Sequence, residues 1–486
     1  MPIKSKSHSM LAALGMQLAA KYSNVAVQLG VTMVLARLLT PVEYGTVAVV
    51  TVFTSFFSIL GSVGISTAII QFKSISCDDF DALFFFCLLL GLGLAGVFCL
   101  ASVPISLVYK DSLLVPLCCF ASLATLFSTM NMVPNGVLLR ERRFAVVSVR
   151  LVVASVISGV LAIGLAAAGW GCWALVWQSV ASSAVILVWN WFAAQLRLSN
   201  PHFVAPLKRI WSYSLYQTGF TTINYFARNL DNLLVGAIMG SAQLGYYDKA
   251  YKLMGYPINY LTGIFSEVLQ PYLSEYQDKK KRLYESWLGI CRMLSLVGML
   301  VTAVFVCFPY QIVLFMFGDQ WAAAAPVTAA LGLSVGVQMV NSTSGAIFQS
   351  AGRTDKLFKS GVICTIISIM AILMGVGSGS LTVLGFLISI AYFCHFGVTI
   401  WLLVVQVLGV RAREFLGAFA PSAGAAVVAI ALTISLGVAL SQLPVVLNSA
   451  IRALVCFGSY AFVIGVTGEW RAVSVFRDLK RMGIEQ

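Results

Sequence analysis

Five polar residues punctuate the first apolar stretch of the chain at intervals of 4, 3, 4 and 4: Gln17, Lys21, Asn24, Gln28 and Thr32. Two hundred residues later, Gln217, Thr221, Asn224, Arg228 and Asn232 repeat the pattern with the same spacing. Such spacing keeps each set on one face of an α-helix. Each stripe lies in a stretch otherwise apolar enough to cross a bilayer. Polar side chains at that depth are costly unless they face a bundle interior or a water-filled cavity. Two copies in register imply two homologous halves, each turning a wet face toward a shared pathway, as a transporter would.

The composition agrees. The chain is 59% hydrophobic and 10% charged, against about 25% charged in soluble domains. An all-α polytopic membrane protein is expected, with little length left for a soluble domain. The net charge of +13 is accounted for by positive loops on the cytoplasmic side, not by nucleic acid as a partner. Eleven cysteines form no CxxC pair and mostly sit in apolar runs, which argues against a disulfide framework or a metal site. His8, His202 and His395 lack Cys, Asp or Glu partners at metal-ligand spacing. There is no phosphate-binding loop and no catalytic constellation, so the chain reads as a non-enzyme. The first apolar run has no A-x-A cleavage signal and reads as a retained helix.

Fourteen spans are expected, at 11–37, 42–70, 82–108, 112–138, 144–168, 171–194, 210–238, 242–273, 284–308, 322–349, 356–378, 381–406, 414–438 and 445–467. Of 31 lysines and arginines, 22 fall at one face, 3 at the other (Arg37, Lys110, Arg452) and 6 within spans. The positive-inside rule then puts both termini in the cytoplasm. The repeat extends beyond the stripes. LTPVEYG (39–45) aligns with MGSAQLG (239–245), sharing Gly45 and Gly245, and NGVLLRERRF after span 4 aligns with SGAIFQSAGR after span 10. An even repeat of six helices gives both copies one orientation, so their symmetry axis lies along the membrane normal and the path runs between the lobes. The expected division is 1–199 for the N-terminal six-helix lobe, 200–409 for the second lobe around the same central cavity, and 410–486 for spans 13 and 14 with a cytoplasmic tail. Trp170, Trp173, Trp189, Trp191, Trp211, Trp321 and Trp470 cluster near span ends, as an interfacial belt would.

The candidate substrate-binding residues are Arg228, Lys249, Lys252, Lys21, Asp231, Gln17, Asn24, Gln28, Gln217, Asn224 and Asn232. Arg228 and Asp231 lie one turn apart on span 7, and Lys249 and Lys252 one turn apart on span 8, beside Asp248. Two readings stand. These charges form an ion-pair network that only joins the two helices, or they make a net cationic lumen that attracts an anionic substrate. Lys21 has no carboxylate on its own helix and is far from either interface, which favours the lumen over snorkelling. Glu43 is read as helix-start chemistry, and Glu267 as a group that could titrate. Arg150 and Arg292, near the cytoplasmic face, are read as snorkelling. Tyr246, Tyr247, Tyr251, Tyr256 and Tyr260 suit sugar stacking, interfacial anchoring or core packing equally.

These residues resemble a known family. LARLLTPVEYGTVAVV (35–50) resembles the helix 1–2 turn of bacterial polysaccharide transporters. ARNLDNLLVGAIMGSAQLGYYDKAYKL (227–253) resembles their second-half signature, R-x-x-D followed by G-x-Y-x-x-A, and FQSAGRTDK (348–356) the stretch after helix 10. The family is the oligosaccharide flippase branch of the multidrug/oligosaccharidyl-lipid/polysaccharide exporter superfamily. The resemblance implies two six-helix lobes around a central cavity working by alternating access. It also implies undecaprenyl-pyrophosphate-linked oligosaccharide as cargo in the bacterial cytoplasmic membrane. It places Arg228, Asp231 and Lys249 on the cavity wall; Lys21 is an inference from position alone. No cofactor is expected beyond a coupling ion, Na+ or H+. The expected partners are the lipid-linked oligosaccharide, membrane lipids, a glycan polymerase and glycosyltransferases. Three alternatives stay open: a cation-coupled multidrug exporter, disfavoured by the net positive lumen; a membrane glycan polymerase or ligase, disfavoured by the short outer connections; and a lipid-linked peptidoglycan precursor as cargo.

Overall fold

The computed structural model describes residues 4–62, 65–71, 77–195, 221–222, 225–226, 228–274, 279–440, 442 and 444–468. The regular elements among them are all helical. Ten helices among the described residues are long and apolar enough to cross a membrane, or eleven if Asp319–Gly332 and Val335–Ser350, bent by 49°, make one span. The chain is therefore a multi-pass membrane protein. It divides into two compact units, Met1–Gly245 and Tyr246–Gln486.

The first unit contains α1 (Lys4–Leu38), α2 (Pro41–Ser62), α3 (Ile65–Gln71), α4 (Cys77–Tyr109), α5 (Leu114–Met130), α6 (Met132–Arg140), α7 (Phe144–Ala167) and α8 (Cys172–Ala194). A helical stretch over 228–234 then passes into a π-helical turn, Val235–Met239, and α9 (Ser241–Ser274) begins after Gly240. The sequence-predicted span 42–70 holds α2 and α3, and 112–138 holds α5 and α6 with one turn residue, Asn131, between them; each still reads as a single candidate span. Pro134 lies just past Asn131, where its missing N–H weakens a continuous helix. Ile65, Ile69, Leu83, Cys87, Val133 and Val137 knit α3 and α6 onto α4.

The start of α2 is capped reciprocally. The Glu43 carboxylate accepts from the Thr40 amide (2.7 Å) and hydroxyl (2.9 Å), while the Glu43 amide donates to Thr40 Oγ1 at 3.3 Å. This capping box is the helix-start role read for Glu43. Thr40→Ala removes two of the three bonds. It should cost about 1 kcal/mol and lower the thermal unfolding midpoint of the purified protein by about 1 °C. An unchanged midpoint would mean that water replaces the cap without loss.

The two aligned glycines meet. A Cβ built on Gly45 would overlap the Ser241 carbonyl, and one built on Gly245 would overlap the Pro41 carbonyl. The contact is reciprocal at the repeat's own offset: position 45 on 241, and 245 on 41. The starts of α2 and α9 thus cross backbone to backbone, which only the absence of a side chain permits.

Arg150 corrects a sequence-based expectation. It does not snorkel. It is 7% exposed on α7, and its Nη2 donates to Asn135 Oδ1 at 2.8 Å. Asn131, one turn earlier, accepts from Asn190 of α8 at 2.7 Å. The guanidinium is thus buried with Asn135 as its hydrogen-bond partner, while its Nε and Nη1 find none. Arg292 is exposed, as expected.

The second unit starts within α9 and continues through α10 (Lys280–Cys307), α11 (Pro309–Phe317), a 3-10 turn (Asp319–Ala324), α12 (Ala325–Gly332), α13 (Val335–Asn341), α14 (Ser344–Ser350) and α15 (Thr354–Gly377). Next come α16 (Leu381–Thr399), which runs into a π-helix at Ile400–Val407, then α17 (Ala412–Gly417), α18 (Ala420–Ala439) and α19 (Val445–Thr467). Helix α11 falls in what hydropathy leaves as a connection between spans 284–308 and 322–349. Pro309 at its first position is preset for a helix start, and Gly318 at φ 98° ends it in a conformation that a side chain would strain. Spans 322–349 and 414–438 are broken, into α12 to α14 and into α17 and α18. Helices α18 and α19 pack on α10 through Ala303, Cys307, Ala425, Ala429, Cys456 and Tyr460.

Candidate functional site

Helix α1 carries the first stripe. Lys21 and Gln28 are exposed, and Asn24 and Thr32 are half-buried. Asn24 Oδ1 accepts from Ser155 Oγ of α7 at 2.6 Å. The stripe therefore runs along the seam of α1 and α7, with one member joining the helices and its neighbours above and below left at the surface of the unit. Gln217, Asn224, Trp211 and Trp470 lie outside the described residues, as do the side chains of Gln17 and Glu267.

The second stripe is anchored to α2 and α4. Tyr225 Oη donates to the Val52 carbonyl at 2.6 Å, Phe226 packs against Phe56 with centroids 4.8 Å apart, and Tyr109 Oη donates to the Leu233 carbonyl at 3.1 Å. Thr221 is half-buried. Arg228 is exposed, and among the described residues no hydrogen bond or ion pair engages it. Asp231, one turn on, is 4% exposed and accepts from the Asn232 amide at 2.8 Å. Asn232 Oδ1 is buried without a hydrogen-bond partner. The geometry thus does not join Arg228 and Asp231 as an ion pair. The π-helical turn at Val235–Met239 follows directly, and such turns are frequent at functional sites.

A further polar wall in the first unit needs no charge. A cavity of about 60 Å³ is lined by Thr51, Thr54, Ser55 and Ser179 among apolar neighbours. Thr51 and Thr54 donate to the Val47 and Val50 carbonyls at 2.8 and 2.7 Å, so their oxygen lone pairs remain available as acceptors.

In the second unit, α9 separates its two lysines by environment. Lys252 is paired with Asp248 at 2.7 Å, and half of its side chain is exposed. Lys249 is 2% exposed. Its Nζ stands 5.2 Å from the Phe317 ring centroid and 5.6 Å from that of Trp321. Ring faces attract a desolvated ammonium by about 2 kcal/mol. Trp321 is held in turn by Tyr246, edge-on at 6.0 Å, and by Phe317 at 5.9 Å. Trp321 is therefore fully buried and does not belong to an interfacial belt. The aromatic seat for Lys249 is what sequence reasoning missed; the density of rings around Gly318 in FMFGDQW (315–321) was the available signal.

The tyrosines divide likewise. Tyr247 is buried beside Tyr251, whose hydroxyl meets that of Tyr392 at 3.1 Å. Tyr256 and Tyr260 stack with centroids 6.0 Å apart. Among the described residues, no three His, Cys, Asp or Glu side chains come together as metal ligands would. Each unit by itself offers cations with hydroxyls or ring faces nearby, a chemistry suited to holding an anionic, hydroxyl-rich ligand, and the helices that carry these cations, α1, the 228–234 stretch and α9, are not among the ten long apolar ones.

Comparison with known proteins places these residues in a family. The family model described as polysaccharide biosynthesis protein matches residues 34–326, which include Arg228 to Trp321. The chain is 26% identical over 363 residues to the lipopolysaccharide biosynthesis protein WzxC of Escherichia coli (strain K12), covering 70% of each. It is 25% identical over 354 residues to the succinoglycan biosynthesis transport protein ExoT of Rhizobium meliloti (strain 1021), covering 72% of this chain and 70% of that one. Among solved structures, the lipid II flippase MurJ in an inward closed conformation matches with a TM-score of 0.72 at 12% identity, over 96% of this chain and 99% of that chain. At that identity the likeness is one of fold.

Proposed function

The chain belongs to the polysaccharide biosynthesis protein family, and from that premise we propose that it is a flippase for undecaprenyl-pyrophosphate-linked oligosaccharide repeat units. On this reading, fourteen spans form two six-helix lobes, 1–199 and 200–409, around a central cavity, with two further helices. The protein sits in the bacterial inner membrane with both termini in the cytoplasm and works by alternating access. A sugar diphosphate cannot cross about 30 Å of hydrocarbon unaided. A polar cavity replaces its hydration while the prenyl tail stays in lipid. Arg228, Lys249, Lys252 and Lys21 attract the diphosphate or acidic sugars, and Gln17, Asn24, Gln28 and Asn232 hydrogen-bond the glycan. A coupling ion, Na+ or H+, drives the cycle, and a glycan polymerase and glycosyltransferases act before and after it.

The observation that carries the reading is Arg228: an exposed cation that no carboxylate among the described residues engages. On the proposed span 210–238 such a charge would attract an anion more strongly than it does in water. Arg228→Lys should keep partial glycan export, and Arg228→Gln should lose most of it at normal protein level in the membrane. The double variant Arg228→Gln, Asp231→Asn discriminates. Export that stays low assigns the loss to the missing positive charge; export restored by the second substitution would make the two residues a structural pair and sink the assignment.

A further inference from the structure

Helices α7 and α8 leave an apolar groove of about 700 Å³ on the outside of the first unit. Its walls include Val146, Val153 and Ile157 from α7 and Val188, Phe192 and Ala193 from α8. Phe192 is 74% exposed and Val188 54%, so these side chains do not fill the groove. Nothing in the transport reading uses it.

The two ends of the groove differ. At the Val146 end, Arg143 is exposed, and its Nη1 donates to the carbonyl of Ala193, a residue of the groove wall. Arg142 is exposed beside it. Arg140 stands over the Phe80 ring at 5.6 Å. Asp79 and Asp81 flank Phe80 beneath Arg140, so the charge offered to the groove is that of Arg142 and Arg143, of which Glu141, 3.8 Å from Arg143, offsets one. One hydrogen bond to Ala193 and one long contact to Glu141 leave most of the five guanidinium donors of Arg143 available. The Ile157 end carries no such charge.

The length of the groove selects its occupant. From Val146 to Ile157 a helix rises about 16 Å, half of the roughly 30 Å hydrocarbon core. That is the depth of one leaflet, hence of one phospholipid acyl chain. A long polyprenyl chain would overrun it. Basic sites between membrane helices are a recurring means of holding anionic head groups.

We propose that the α7–α8 groove is a specific site for an anionic phospholipid, with an acyl chain along Val146–Ile157 and the head-group phosphate at Arg142 and Arg143. The assignment to the cytoplasmic leaflet rests on the topology proposed above; the binding itself does not, and it is measured without transport.

The full chain, purified and exchanged into mixed phosphatidylglycerol and phosphatidylethanolamine, can be followed by native mass spectrometry under rising collision energy. The unmodified protein should retain phosphatidylglycerol in preference to phosphatidylethanolamine. Arg142→Gln with Arg143→Gln should reduce that retention about tenfold. Val188→Trp, which fills the groove without changing charge, should reduce it as well, whereas Leu100→Trp, another exposed apolar position, should not. Equal retention of the two lipids, or retention unchanged in both groove variants, would overturn the proposal. So would an undecaprenyl phosphate that competes phosphatidylglycerol off through this groove.

Discussion

Gly45→Val should all but eliminate folded protein from the membrane, although valine is at home in a membrane helix. The reason is local. The new side chain would occupy the space of the Ser241 carbonyl, and backbone cannot rotate aside as a side chain can. Overpacking of a tight site costs about 1–3 kcal/mol, occasionally more, and destabilisation by about 1–2 kcal/mol already changes cellular abundance several-fold. Gly245→Val should do the same through the Pro41 carbonyl. Gly93→Ala is the control, since a Cβ there meets open space and alanine favours a helix over glycine by about 1 kcal/mol. Fluorescence-detected size exclusion of tagged protein reads all three. A sharp monodisperse peak of normal height for Gly45→Val would show that the helix starts can separate and that the crossing does not hold the fold.

Lys249→Gln should leave the protein in the membrane at ordinary abundance and cut export about tenfold, the worth of roughly 1.4 kcal/mol of attraction for an anionic ligand. Burying an ammonium is costly, and the faces of Phe317 and Trp321 offset part of that cost. A protein that keeps a buried lysine by such means gains nothing in stability over an apolar residue of the same length. Lys249→Met should therefore be at least as abundant as the parent and equally defective in export. Trp321→Leu removes one of the two rings and leaves the lysine less well seated, so abundance and export should fall together. Normal export by Lys249→Met would reduce the lysine to a packing element.

Much of the fold was legible because hydropathy and helical period are strong signals in a chain this apolar. Most expected spans coincide with helices, and the alignment of Gly45 with Gly245 marked a real juncture. The breaks were less visible. Asn131 and Ser334 interrupt helices within apolar runs, and Pro134, three residues past Asn131, was the residue to heed at the first of them. Proline begins or nearly begins α2, α11, α12 and α18, a positional meaning that a hydropathy average erases. Arg150 and Trp321 were misplaced for a different reason. Their burial involves partners on other helices, Asn135 of α6 for Arg150 and Lys249 of α9 for Trp321. Depth along a span says where a side chain starts, not what it meets.

The glycine crossing has a consequence for how this sequence can change over time. Where side chains meet, a change in one partner can be answered by a change in the other. Here each glycine faces main chain, which no substitution can carve away, so neither half can compensate for a lapse in the other. Both positions are therefore expected to need a residue without a side chain. A chimera that grafts the first half of one relative onto the second half of another can tolerate mismatched stripes and foreign loops, but only if both donors bring a residue without a side chain to this point.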